Sequence, residues 1–222
     1  MMKMLNLSYE MNKSMSMMNM NKLNDKLMLL MMMLIVMIMV MLIKNKNNNL
    51  INKSMFENQK LEMFWTNFPI LIIMMMSYLS IIVLYMNNEM KTNSLSVKII
   101  GNQWFWNYSY MNFNKSFNSY MMYKSYFNFN VMETDNKMVI PFYTQVMLII
   151  SSMDVIHSWA IPSMNLKVDA IPGQINNSLI QSNKISILFG QCSEICGINH
   201  SFMPIMVESI TMKEFIKWIK KF

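Results

Sequence analysis

Every thiol and imidazole in this 222-residue chain falls between positions 157 and 200: His157, Cys192, Cys196 and His200. Met203 stands three residues further on, in the string GQCSEICGINHSFMP. Cys-x3-Cys-x3-His-x2-Met with a remote His offers two soft anionic sulfurs, two imidazoles and a thioether, a donor set suited to copper. Two other uses of these residues stay open. Cys192 and Cys196 could form a disulfide, given suitable loop geometry and an oxidising compartment. The two cysteines and two histidines could also hold a single zinc ion. Met203 favours copper, because a thioether is a poor zinc ligand but a common weak axial ligand in His/Cys copper sites. Two neighbouring thiolates can also bridge a pair of metals, which a mononuclear zinc site does not need.

The elements that must hold these ligands belong to an unusual chain. Hydrophobic residues make up 54% and charged residues only 14%, whereas about a quarter of a soluble protein is charged. There are 33 methionines and no arginine, while Asn, Lys, Ile, Phe and Tyr are common. These residues have AT-rich codons, which points to an AT-biased genome such as those of many mitochondria. Met fills apolar space adaptably, so it can stand for Leu in lipid-facing and core positions. The net charge is +7, but the lysines are scattered rather than gathered on a stripe. That distribution argues against nucleic acid as a partner.

Residues 1–26 form a Met/Asn/Lys-rich polar segment without a small-residue cleavage site, and do not read as a signal peptide. Leu27–Ile43 is a continuous apolar run bracketed by Lys26 and Lys44. It is long enough for a membrane span, which needs about 17–25 residues. Lys44–Met63 reads as a polar loop, and Phe64–Met86 as a second span with Pro69 one turn in. Trp65, Tyr78 and Tyr85 are candidate interfacial anchors. The expectation is a transmembrane hairpin over 27–90, with its loop on the inside because of Lys44, Lys46, Lys53 and Lys60.

From residue 91 onward the pattern changes. Ser94–Ile100, Asn130–Ile140, Gln145–Ser151, Ile185–Phe189 and Met203–Ile210 are strand-like runs. Turn residues lie at Asp135-Asn136, Pro162, Pro172-Gly173 and Gly190. This pattern predicts an antiparallel sandwich or barrel over 91–222. Met212–Phe222 has apolar residues at helical spacing and predicts a short amphipathic C-terminal helix.

Four strings, together with the hairpin, carry a resemblance. They are GNQWFWNYSY (101–110), METDNKMVIP (132–141), SSMDVIHSWAIPSMNLKVDAIPG (151–173) and FGQCSEICGINHSFMPIMVES (189–209). Glu62 before the second span and LYMNNE at 84–89 match as well. The chain resembles the mitochondrial type of the cytochrome c oxidase subunit II family, well over residues 60–222 and only in architecture before that. The resemblance implies an α+β membrane protein, with a two-helix transmembrane hairpin before a cupredoxin-like antiparallel β-sandwich and a short C-terminal helix. It implies a dinuclear copper A centre bridged by Cys192 and Cys196. His157 and His200 would bind one copper each, and Met203 and the Glu194 carbonyl would be the weaker ligands. The Glu194 side chain would reach a magnesium ion shared with subunit I, and Asp169 would stand near the site. Trp104 would be an exposed indole receiving electrons from cytochrome c, and Glu62 the mouth of the K proton pathway. The implied partners are oxidase subunits I and III and others, cytochrome c and inner-membrane lipid. The implied place is the mitochondrial inner membrane, with the copper domain in the intermembrane space. Electrons would pass to haem a in subunit I for oxygen reduction coupled to proton pumping.

Several positions depart from the family pattern. Asn102 replaces a usual His, and Ser109, Asn112, Asn114 and Lys115 stand where acids are common. Lys137 and Gln174 replace Arg, and Asn165 replaces a Gly; Asn tolerates the left-handed conformation such a turn needs. From residue 91 there are 11 Lys against 7 Asp plus Glu, a net of +4. An acidic surface for a basic cytochrome c is therefore eroded, with Glu133, Asp135 and Asp154 as its remaining candidates. Two other functions compete. A copper-free quinol oxidase subunit is disfavoured by the complete ligand set. A membrane-anchored structural or assembly protein would use the cysteines for zinc or a disulfide.

Overall fold

The structure is a computed structural model that describes residues 14–47, 57–90, 95–123 and 131–221. It divides into two compact units, Asn19–Met86 and a larger one containing Asn87–Phe222.

The smaller unit holds most of two long helices. Helix α1 spans Met15–Asn47 and α2 spans Gln59–Asn88. Each contains its expected apolar run, but both are longer than the runs themselves. Helix α1 continues through the polar residues 15–26, so no break marks the expected boundary at 26. Ser14 explains where it begins: the Ser14 hydroxyl accepts a hydrogen bond from the Met17 N–H at 3.1 Å, an N-cap that satisfies a free donor of the first turn. Asn58 caps α2 in the same way, through Leu61 N–H at 3.2 Å. The polar loop expected at 44–63 is shortened by both helices, and residues 48–56 of it lie outside the described residues. Most of the apolar side chains on these helices are exposed, Leu29 at 72% and Tyr85 at 73% among them. So large an apolar surface is not stable in water. Both helices are long and apolar enough to cross a membrane, and the chain is a membrane-anchored protein.

The larger unit is a sandwich of two five-stranded sheets. Its strands are β1 (Leu95–Asn102), β2 (Phe105–Tyr110), β3 (Lys115–Ser119), β4 (Met138–Pro141) and β5 (Gln145–Ser152). They continue as β6 (His157–Ile161), β7 (Leu166–Ala170), β8 (Asn176–Gln181), β9 (Ser186–Cys192) and β10 (Pro204–Ile210). One sheet runs β3-β2-β1-β5-β8 and the other β4-β10-β9-β6-β7. The sandwich is mixed rather than wholly antiparallel: β1 pairs with β5, and β10 with β4, in parallel.

Alternating burial drives the packing. In β1, β2 and β5 every second residue is buried, as a half-covered sheet requires. Trp106, Tyr108, Tyr110 and Trp159 are fully buried between the layers. Three of these four polar tips are partnered: Trp159 Nε1 donates to the Tyr108 hydroxyl at 3.3 Å, and the Tyr110 hydroxyl donates to the Val139 carbonyl at 2.7 Å, whereas Trp106 Nε1 is buried without a partner among the described residues. Burial pushes both tyrosine pKa values well above their ordinary range. Helix α3 (Met212–Lys221) closes the end of the sandwich through Phe215 and Ile219. Thr211 and Glu214 form a reciprocal capping box at its start.

Three turn expectations have different outcomes. Asn165 is left-handed at φ 54° and its N–H donates to the Pro162 carbonyl, so the turn survives without glycine. Of the strand expected over Asn130–Ile140, Asn130 lies outside the described residues, Thr134 forms only an isolated antiparallel bridge with Met121, and the continuous ladder begins at Met138. Before it, the Asp135 carboxylate accepts the N–H groups of Tyr120 and Asn136 and holds a turn instead. Gly190 is not at a turn but inside β9. A Cβ there would fall 2.0 Å from the Ala160 carbonyl oxygen on the neighbouring strand.

Candidate metal centre

The ligands come from two places that the second sheet makes adjacent. His157 opens β6 and Cys192 ends β9; these strands pair antiparallel, Trp159 opposite Cys192. The chain then leaves β9 as a loop carrying Cys196 and His200, and returns into β10 at Pro204, opposite Gln191. Cys192 N–H donates to the Met203 carbonyl at 3.1 Å, and Ser193 N–H to the Ser158 carbonyl at 3.0 Å. The ligand loop is thereby pinned to the sheet at its base. Within it, Gly197 adopts φ 129°, a conformation that only glycine takes readily.

The donor atoms converge. The Sγ atoms of Cys192 and Cys196 lie 3.9 Å apart and do not form a disulfide. His157 Nδ1 lies 3.9 Å from Cys192 Sγ, and His200 Nδ1 lies 3.4 Å from Cys196 Sγ. The ligand atoms of His157, Cys192 and Cys196 all fall within 4.8 Å of one another. The Glu194 carbonyl oxygen is 3.3 Å from Cys192 Sγ, and Met203 is buried at the end of the same loop. The spacing of soft donors therefore becomes a compact cluster, and it fits copper on the chemistry of the set.

Protons compete for the donor atoms of the cluster, and only Cys192 is shifted toward the deprotonated form that a metal ligand needs. Burial raises the Cys192 thiol, but hydrogen bonds from His157 and the loop outweigh it, so its pKa falls below that of an ordinary thiol. Burial and the neighbouring Cys192 charge push the Cys196 thiol up to about 12. Burial lowers the His157 pKa, yet its hydrogen bonds to Cys192 and Asp154 more than compensate and the pKa is raised. A metal would discharge this competition by replacing the shared protons.

Other expected site residues occupy different settings. Trp104 follows β1 and packs against the sandwich core; it is half-buried rather than exposed. It lies beside the ligand loop, because a Cβ added to Gly197 would come within 3.2 Å of its indole. Gln103 Nε2 donates to the Cys196 carbonyl at 2.8 Å and ties the two loops together. Asp169 is exposed on β7; its hydrogen bond to Asn176 uses the backbone carbonyl, not the carboxylate. Asp154 instead reaches the site, with Oδ1 2.8 Å from His157 Nε2. Its pKa is lowered: burial opposes this, but hydrogen bonds from His157, Val155 and Gln103 prevail. Glu194 has an exposed side chain, and Glu62 sits exposed in the first turn of α2, remote in the chain from the metal cluster.

Gly101 is a further requirement that spacing alone did not reveal. A Cβ at Gly101 would meet His157 Cδ2 at 2.7 Å, while Trp106 packs edge-on to the same ring at 5.8 Å. Gly101→Ala is expected to displace the imidazole, at a cost of about 1–3 kcal/mol for overpacking. Thermal unfolding and the absorption spectrum of the metal-loaded chain would register it. An unchanged spectrum would show that the ring is not confined from that side.

A membrane-anchored cupredoxin-like sandwich carrying a Cys/His metal cluster is the class that fold and site define. Residues 95–210 match the family described as cytochrome c oxidase subunit II, periplasmic domain, and residues 3–83 match the corresponding transmembrane domain. The chain belongs to the cytochrome c oxidase subunit II family. It is 44% identical to cytochrome c oxidase subunit 2 of Oncopeltus fasciatus over 178 residues, which is 78% of each chain. It is 48% identical to that of Apis koschevnikovi over 176 residues, again 78% of each. Among solved structures, the periplasmic domain of subunit II of cytochrome oxidase from Bradyrhizobium japonicum is similar. It is 36% identical with a TM-score of 0.56, covering 60% of this chain and 94% of that one.

Proposed function

We propose that the chain is the subunit at which electrons from cytochrome c enter a terminal respiratory oxidase, through a dinuclear copper A centre. They would leave for haem a in subunit I, where oxygen is reduced and protons are pumped. The convergence of two cysteine sulfurs and two imidazole Nδ1 atoms within one pinned loop and one strand carries this reading. When bound, a thiolate-bridged copper pair supplies one-electron transfer with little change in its bonds.

The chain's own residues supply the rest. Cys192 and Cys196 would bridge the pair. His157 and His200 would hold one copper each, and Met203 and the Glu194 carbonyl would be weaker ligands. The backbone bonds at the base of the loop limit ligand motion, and a ligand frame held by packing keeps reorganisation small. Trp104, against the ligand loop, would receive the electron. The exposed Glu194 carboxylate would meet magnesium at the boundary with subunit I, as suits a hard cation. Glu62, at the start of α2, would be the mouth of the K proton pathway. Both histidines face the cluster, which leaves none among this chain's residues to ligate haem. Subunits I and III, other oxidase subunits, cytochrome c and inner-membrane lipid are the proposed partners.

Metal analysis and spin resonance on the purified full chain test the reading. Two coppers per chain and a mixed-valence signal are expected. One zinc, or no copper after loading, would reject it.

The proposed location is the mitochondrial inner membrane, with the sandwich in the intermembrane space and the α1–α2 connection on the matrix side. Lys53 in the connection, with Lys44 and Lys46 at the end of α1 and Lys60 at the start of α2, supports this orientation. With the inner membrane intact, protease added from the intermembrane-space side should spare the connection; cleavage there would contradict the topology.

A further inference from the structure

We propose that Asp154 and Gln103 are positioning residues, a two-residue bridge that fixes His157, Cys196 and Trp104 in one geometry and sets the reduction potential of the centre. The proposal rests on the copper reading above.

Asp154 lies in the turn between β5 and β6, three residues before His157. Its carboxylate is turned toward the site and filled with donors. Oδ1 is 2.8 Å from His157 Nε2, and it also accepts Val155 N–H at 2.6 Å. Oδ2 accepts Gln103 N–H at 2.6 Å. The side chain of Gln103 then donates to the Cys196 carbonyl at 2.8 Å. The bridge thus contacts one ligand from the strand and one from the loop, and it ends at the residue before Trp104.

Two consequences follow from the chemistry. With Nε2 held by a carboxylate, the ring of His157 has one orientation, and Nδ1 is the atom left to face Cys192. A carboxylate on the far nitrogen also makes an imidazole a stronger donor, and loss of such partners costs about 10–100-fold in metal affinity. A stronger donor favours the oxidised metal and lowers the potential. Asp154 was a candidate for the acidic docking surface on sequence grounds; its side chain stays 32% exposed, but its two oxygens are engaged by His157, Val155 and Gln103 around the site.

The test separates positioning from docking. Asp154→Asn keeps the shape, but its amide has one acceptor oxygen and cannot serve both His157 and Gln103. In the assembled oxidase, with no cytochrome c present, it is expected to shift the redox equilibrium of the centre at least about tenfold toward the reduced form. For a one-electron couple that is about 59 mV. The spin-resonance hyperfine pattern should change with it. Asp154→Glu keeps the charge but moves the carboxylate, and should change the same pattern while leaving the salt dependence of cytochrome c association as in the parent. Gln103→Leu frees the Cys196 carbonyl and should perturb the pattern with a smaller shift in potential. Should Asp154→Asn fail to assemble, the other two variants carry the test. Parent-like spectra and potential in the variants, with only cytochrome c association weakened, would overturn the proposal and make Asp154 a docking acid. A parent protein without a copper pair would fail the functional reading instead.

Discussion

Replacing Cys196 with Ser is expected to abolish the two-metal site while leaving the sandwich folded. Cys196 is buried, and its sulfur stands between Cys192 Sγ at 3.9 Å and His200 Nδ1 at 3.4 Å. Serine has nearly the same shape, but its hydroxyl is a hard donor that does not ionise here, and copper selects soft sulfur. Burying a hydroxyl without a good partner costs about 1–3 kcal/mol, which a sandwich with this much buried aromatic surface should survive. The proposed bridge would then be lost, and with it the shared electron. Electron transfer from cytochrome c should fall by about a thousandfold, equal to about 4 kcal/mol of barrier. Copper counting, spin resonance and circular dichroism check the three parts separately. A variant that kept two coppers and a mixed-valence signal would show that Cys196 does not bridge.

The ligand cluster was legible because its chemistry is local. Cys192, Cys196, His200 and Met203 share one loop, and their spacing survives any uncertainty about strands. Only His157 had to be brought in by the fold, through the pairing of β6 with β9. What supports the ligands was less legible. Asp154 read as a surface acid, although its place three residues before His157 was a usable signal for a turn that returns the carboxylate to the ring. Asp169 drew attention instead, and its carboxylate makes no described contact with the ligands. The role of Gln103 had no signal, since its partner Cys196 is 93 residues away. Trp104 was expected exposed, yet packing of its indole against the ligand loop leaves it half-buried.

The fold shows the same division. The apolar runs placed both long helices, and the amphipathic spacing at 212–222 placed α3. Strands β3, β7 and β8 escaped notice because their exposed faces carry Asn, Ser, Lys and Asp, which blur alternation over five or six residues. Phe105–Tyr110 was not among the strand-like runs, whereas it is β2 with Trp106, Tyr108 and Tyr110 directed into the core. The parallel pairs β1–β5 and β4–β10 had no local mark, since a parallel partner is fixed by the long crossover between strands. The overcalled strand before Met138 shows a side chain prevailing over propensity. Asp135 takes backbone N–H groups that a ladder would otherwise use.

Trp104→Ala is expected to slow electron transfer from saturating cytochrome c by about a hundredfold, equal to about 2.7 kcal/mol of barrier. Its effect on binding should be smaller, and the copper spectrum should hardly change. The indole lies against Gly197, one residue from Cys196, and Gln103 beside it is bonded to the Cys196 carbonyl. It offers a short path without being a ligand. Its Nε1 has no hydrogen-bond partner among the described residues, so truncation strands no acceptor. Docking around it should depend little on salt. The domain from residue 91 carries a net +4, Asp154 and Asp135 hold backbone and ring N–H groups, and Glu208 pairs with Lys137 at 3.4 Å. Long-range attraction for a basic partner is therefore weak, and whatever remains is screened beyond about 10 Å at 0.1 M salt. Apolar contact takes a larger share; Ile195 and Ile198 on the ligand loop are 83% and 93% exposed. The association rate over a range of ionic strength, measured for parent and Trp104→Ala, reads both claims together. Unchanged transfer in the variant would remove Trp104 from the path, and a steep fall of the parent's rate with salt would restore the acidic surface.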